Sequence, residues 1–238
     1  MRIELAALDL AGTTVRDDGL VVEAFTRAME AVGACRAGDE FAGRLEHVQR
    51  TMGRSKIEVF HELFPREPKA ARAANAAFED AYADLVDQGL AEPIPGARQV
   101  VEALRAGGVK VCFTTGFAPP TRDALLASLG WAGLADAVFS PHDAGRGRPH
   151  PDMLLAALSR LRVGSAASLA AVGDTKSDIA AGLAAGAGLV CGVKTGAHSA
   201  SQLAAAGAHR VLESVADLPQ AIGLGSAAGS VLTDAGAR

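Results

Sequence analysis

Short apolar runs alternate with stretches of helical period along most of the chain. Residues 3–10 are apolar apart from Glu4 and Asp9 and end in the turn-prone Asp9-Leu10-Ala11-Gly12, the pattern of a strand buried on both faces. Residues 109–114, 169–172 and 189–193 repeat it. Apolar positions recur at helical spacing over 97–106, 120–129, 151–161 and 177–185, so from about residue 93 onward strand and helix alternate. That alternation predicts an α/β fold with a doubly wound, Rossmann-like parallel sheet. Residues 17–92 break the rhythm, because 20–32, 54–64 and 69–86 read as helices with no strand between them. The expected organisation is a core of 1–16 and 93–223 with a helical cap of 17–92 inserted after the first strand. Glu92-Pro93-Ile94-Pro95-Gly96 forms a stiff return, and 224–238, rich in Gly, Ala and Ser, reads as a flexible tail.

Composition narrows the function classes. The 238 residues carry a net charge of −4 and only 4% aromatic residues, which gives neither the basic footprint nor the stacking platforms of a nucleic-acid binder. Small-molecule chemistry is the better expectation. The three cysteines, Cys35, Cys112 and Cys191, are far apart and form no CxxC pair, so neither a disulfide framework nor a zinc site is indicated. The first residues lack the pattern of a signal peptide and no apolar run reaches membrane-spanning length, so a cytoplasmic protein without membrane partners is expected. Whether it forms a homodimer stays open.

Three strand ends carry polar signatures: Asp9-Leu10-Ala11-Gly12-Thr13-Thr14, Thr114-Thr115-Gly116 and Gly173-Asp174-Thr175-Lys176-Ser177-Asp178. Taken singly, each has a structural reading: a turn at Asp9, a loop hydroxyl at Thr115, a capping box between Thr175 and Asp178. Ligands of open parallel sheets collect outside the carboxyl ends of the strands, so all three should converge. Carboxylates, a hydroxyl and the close backbone approach that Gly12 and Gly116 permit suit a phosphoryl group and Mg2+. Gly186-Ala187-Gly188 precedes its strand and so closes a helix instead of binding a dinucleotide.

This constellation resembles the haloacid dehalogenase superfamily of aspartyl-phosphate hydrolases, whose motifs run DxDGT, a Ser or Thr after the second strand, a Lys or Arg, then GDxxxD. The matching positions here are Asp9, Thr115, Arg148, and Asp174 with Asp178. The resemblance implies Asp9 as nucleophile, Mg2+ held by Asp9, the Ala11 carbonyl, Asp174 and Asp178, and Thr115 and Arg148 on the phosphoryl oxygens beside Thr13 and Gly116. The second acid of DxDGT is Ala11 here, similar to the phosphonoacetaldehyde hydrolase branch with its DxAGT. That branch uses a cap lysine as a Schiff base, and Met52-Gly53-Arg54-Ser55-Lys56-Ile57 resembles its Met-Gly-x-x-Lys-Ile segment. The resemblance makes Lys56 the Schiff-base lysine and Met52 its apolar neighbour.

If one helix spans this segment, Met52, Lys56, Phe60 and Leu63 share a face, and Lys56 borders an apolar stripe where desolvation favours the neutral amine. A lysine snorkelling at the edge of a packed helix gives the same pattern. Val59 stands where the branch has an assisting histidine, and His61, five residues from Lys56, is turned about 140° away. Three functions remain: cleavage of a carbon–phosphorus bond in a small phosphonate such as phosphonoacetaldehyde, hydrolysis of a small phosphate ester such as a sugar phosphate or phosphoglycolate, and a non-catalytic phosphate- or protein-binding module.

Overall fold

A computed structural model describes residues 2–34 and 38–224. Six parallel strands form one sheet: β1 Leu5–Asp9, β2 Lys110–Thr114, β3 Ala137–Phe139, β4 Leu169–Gly173, β5 Leu189–Val193 and β6 Arg210–Leu212. Their order is β3-β2-β1-β4-β5-β6, which puts the first strand in the middle. All five residues of β1 are buried, as its apolar run predicts for a strand covered on both faces. Period-two alternation divides them: Ala6 and Leu8 face one core with Val111, Phe113 and Val172, while Leu5 and Ala7 face another with Cys112, Leu169 and Val190.

The first core is covered by α5 (Ala97–Ala106) and α6 (Pro119–Ser128), the second by α8 (Asp152–Arg160) and α9 (Lys176–Ala184). Short helices α7 (Pro141–Ala144) and α10 (Ala200–Ala205) complete the crossovers, and α11 (Leu218–Ala221) follows the last strand. Helices on both faces of a parallel sheet make this the doubly wound architecture expected.

Among the described residues, four helices lie between β1 and α5: α1 Leu20–Ala31, α2 Asp39–Arg50, α3 Lys56–Leu63 and α4 Pro68–Asp87. The sequence pattern predicted three. α2 buries only Phe41 and Val48 of its twelve residues, too sparse a stripe to show a period. The strands β3 and β6, three residues each, were likewise not anticipated, because so short a run has no readable alternation. The two segments joining these helices to the sheet run together: Arg16 N–H donates to the Glu92 carbonyl and Ile94 N–H to that of Thr14. The expected tail lies almost wholly outside the described residues. Among the described residues, no helix is long and apolar enough to cross a membrane.

Candidate active site

Sheet register brings the strand ends together. Asp9 pairs with Thr114, so Thr115 is the next residue beyond it; Leu8 pairs with Val172, so Asp174 lies just past the same edge. Into this edge the 145–150 loop brings Arg148, whose Nη1 donates to Asp9 Oδ1 at 2.6 Å and also to Asp178 Oδ1. Asp178 serves twice. Its Oδ2 accepts from the Thr175 N–H at 3.1 Å, closing a capping box at the start of α9, while Oδ1 holds the guanidinium. The capping and site readings of this residue are therefore compatible. Arg148 is only 4% exposed, yet among the described residues its Nε and Nη2 have no acceptor.

Asp9, Asp174 and Asp178 each offer a buried oxygen, all within 4.8 Å of one another, with a single guanidinium among them. Burial pushes Asp9 up to about 6, with Asp178 adding to the rise and Arg148 opposing it. Burial, then Asp9 and Asp178, hold Asp174 well above the carboxylate range. Carboxylates crowded in this way are short of positive charge, and their all-oxygen donor set fits a hard divalent cation. Among the described residues nothing donates a hydrogen bond to the Ala11 carbonyl, which leaves it available as a further ligand. Gly12 is required at this position: its φ is +87°, and a Cβ there would lie 2.5 Å from Asp174 Oδ2.

Other expected residues are placed differently. Thr13 donates its hydroxyl to Asp174 Oδ1 at 3.3 Å. Thr115 accepts from the Phe117 N–H at 3.2 Å, which leaves its own hydroxyl proton for a ligand. Gly116 is needed by the loop between α2 and α3, since a Cβ would lie 2.7 Å from the Arg54 carbonyl oxygen.

Met52 and Lys56 do not share a helix. α2 ends at Arg50, Gly53 has φ +84°, and α3 begins at Lys56. The break arises because the 51–55 loop is pressed onto the sheet edge, Gly53 against Thr175 and Arg54 against Gly116. Met52 lines a cavity of about 540 Å3 with Asp17, Lys176 and His198, whereas Lys56 lines another of about 320 Å3 with Asn75, Glu79 and Phe117. Lys56 is buried, with Nζ 5.8, 5.9 and 5.5 Å from the ring centres of Phe25, Phe78 and Phe117. Burial pulls its pKa down. Asp17, Asp9 and Glu79 oppose that pull and Arg148 assists it, with a net fall from the ordinary lysine value.

Sequence reasoning missed the surroundings of Lys56: Asp17, Glu79, Tyr82 and the phenylalanines. Only Glu79 carried a local signal, as a polar residue beside the apolar stripe of α4, which buries Ala71, Ala74, Phe78, Ala81, Tyr82 and Leu85; Asp17, Phe25 and Phe117 come from other segments.

Comparison with known proteins bears on this arrangement. Residues 3–186 match the family model described as haloacid dehalogenase-like hydrolase. A phosphonoacetaldehyde hydrolase of Salmonella paratyphi C is 32% identical, over 93% of this chain and 94% of its own length. A phosphonoacetaldehyde hydrolase-like protein from Oleispira antarctica superposes with TM-score 0.79 at 26% identity, covering 93% of this chain and 92% of that one. A hydrolase from Pseudomonas syringae gives the same TM-score at 24% identity, with coverage of 92% and 97%.

Proposed function

This chain belongs to the haloacid dehalogenase-like hydrolases, and from that premise we propose that it is a Mg2+-dependent phosphonatase acting through an aspartyl phosphate on a small carbonyl phosphonate such as phosphonoacetaldehyde. In this reading residues 17–92 are a cap over a catalytic core, and the enzyme works in the cytoplasm. Asp9 and Asp174, with Asp178 close by, would hold the ion, and the Ala11 carbonyl would be a further ligand. The ion supplies charge neutralisation at the phosphoryl oxygens.

The Lys56 amine condenses with the substrate carbonyl, releasing water and leaving an iminium. Asp9 then attacks phosphorus as the carbon–phosphorus bond breaks, and the bonding pair moves into the iminium to give an enamine. Water cleaves the acyl phosphate, and protonation and hydrolysis of the enamine return Lys56. Arg148 and the Thr115 hydroxyl hold the phosphoryl oxygens as charge shifts.

The observation that carries this reading is Lys56: a buried amine of lowered pKa, ringed by Phe25, Phe78 and Phe117 and within electrostatic reach of Asp9, in a site where position 11 has no acid. One observation favours an ester phosphatase instead. Val59, one turn beyond Lys56, is 2% exposed in the core and offers no proton-transfer group. The decisive experiment measures phosphate release from phosphonoacetaldehyde, phosphoglycolate and sugar phosphates with Mg2+, together with borohydride reduction in the presence of the aldehyde. A reduced adduct on the Lys56 peptide and release from phosphonoacetaldehyde are expected. Ester hydrolysis without an adduct, undiminished in Lys56→Ala, would replace the phosphonatase with a phosphatase.

A further inference from the structure

Tyr82 is fully buried, and its hydroxyl has no hydrogen-bond partner among the described residues. Desolvating a hydroxyl without a bond is unfavourable, and phenylalanine would pack the same ring without that burden. The placement of the ring supplies a reason for it. Tyr82 lies four residues beyond Phe78 and three beyond Glu79, on the stripe of α4 that faces Lys56, and Asn75 and Glu79 of that stripe line the Lys56 cavity. Its ring centre is 4.4 Å from that of Phe117, and Lys56 Nζ lies 5.5 Å from the same ring. Tyr82 therefore packs against Phe78 and Phe117, two of the three rings nearest the amine.

Burial, together with the carboxylates of Asp17 and Asp9, raises the phenol above its ordinary value. The group keeps its proton and works as a hydrogen-bond donor, never as a base. Neither Ala11 nor Val59 can donate to a substrate from its side chain, so the carbonyl chemistry at Lys56 lacks a donor in the positions where the family resemblance looks for one.

We propose that the Tyr82 hydroxyl donates a hydrogen bond to the substrate carbonyl oxygen as the Lys56 amine adds to the carbonyl carbon. This assignment rests on the Schiff-base reading of Lys56. The bond polarises the carbonyl and stabilises the oxygen as negative charge grows on it, a service of the oxyanion-hole kind. The unpartnered hydroxyl of the free protein is then completed by substrate.

The test is Tyr82→Phe, compared with the full-length wild-type chain in Mg2+ by chemical denaturation, steady-state kinetics on phosphonoacetaldehyde and the rate of borohydride-trapped adduct formation. The expected result pairs opposite changes: stability unchanged or raised, because an unsatisfied polar group is gone, with kcat/KM and the trapping rate each falling 10- to 100-fold. A structural hydroxyl would instead show lost stability with the trapping rate preserved, and that result overturns the proposal. So does an unchanged trapping rate at any stability. If wild type itself forms no adduct, the Schiff-base reading and this inference fall together; if wild type forms it and Tyr82→Phe matches wild type, only the inference falls.

Discussion

Asp9 sits where the demands of catalysis and folding differ. Its carboxylate is crowded by Asp174 and Asp178 and steadied by a single guanidinium, which also binds Asp178. Asp9→Asn removes the nucleophile and relieves like-charge crowding. Turnover is therefore expected to fall at least about 1,000-fold, a barrier increase of roughly 4 kcal/mol, while the metal-free variant melts no lower than wild type. Kinetics and calorimetry on the same preparation check both halves. Lys56 gives a pH signature of its own. Because its folded pKa is depressed, the unfolded chain binds more protons between the folded value and about 10.5, so stability rises with pH across that window. Wild type is expected to be less stable than Lys56→Met at pH 7, with the gap narrowing as pH approaches about 10, as measured by denaturant midpoints at the two values.

At the scale of elements, the decisive piece is the 51–55 loop between α2 and α3. Gly53 there has φ +84°, and a Cβ would stand 2.2 Å from Thr175 Oγ1, so any side chain both strains the loop and pushes it off the sheet edge. Gly53→Ala is expected to raise KM and lower kcat/KM about tenfold or more, since small misplacements of positioning groups are expensive. Unfolding should shift by only about 1–3 kcal/mol, and steady-state kinetics beside a denaturation curve would separate the two effects. The aromatic cluster is different in kind. Phe25, Phe60 and Phe78 have ring centres 4.7 to 6.1 Å apart and hold α1, α3 and α4 together, so Phe78→Ala is expected to cost about 3–5 kcal/mol in denaturation as well as loosening the shell around Lys56.

For the molecule as a whole, three buried carboxylates against one guanidinium make the fold responsive to a divalent cation. Because burial holds protons on Asp9 up to about 6, binding the ion displaces them. Mg2+ is expected to raise the melting temperature more at pH 7.5 than at pH 5, to lose that effect in Asp174→Asn, and to be needed for turnover; thermal melts and EDTA titration test this. How much of this was legible beforehand follows from range. The sequence by itself determined the parallel sheet, because a strand covered on both faces must be apolar throughout, as at residues 5–8, and it determined the motif order, because Asp9, Thr115, Arg148, Asp174 and Asp178 each sit beside local strand, turn or capping signals. It also pointed to Lys56, through a short local motif. Only the tertiary structure decided what surrounds that lysine. The break between Met52 and Lys56 is imposed by Thr175 and Gly116, more than a hundred and about sixty residues away, and Phe25, Phe78 and Phe117 meet at Lys56 from α1, α4 and the loop after β2. Periodicity records which side of an element is buried; which residues then face one another depends on how the elements dock, and no local pattern carries that information.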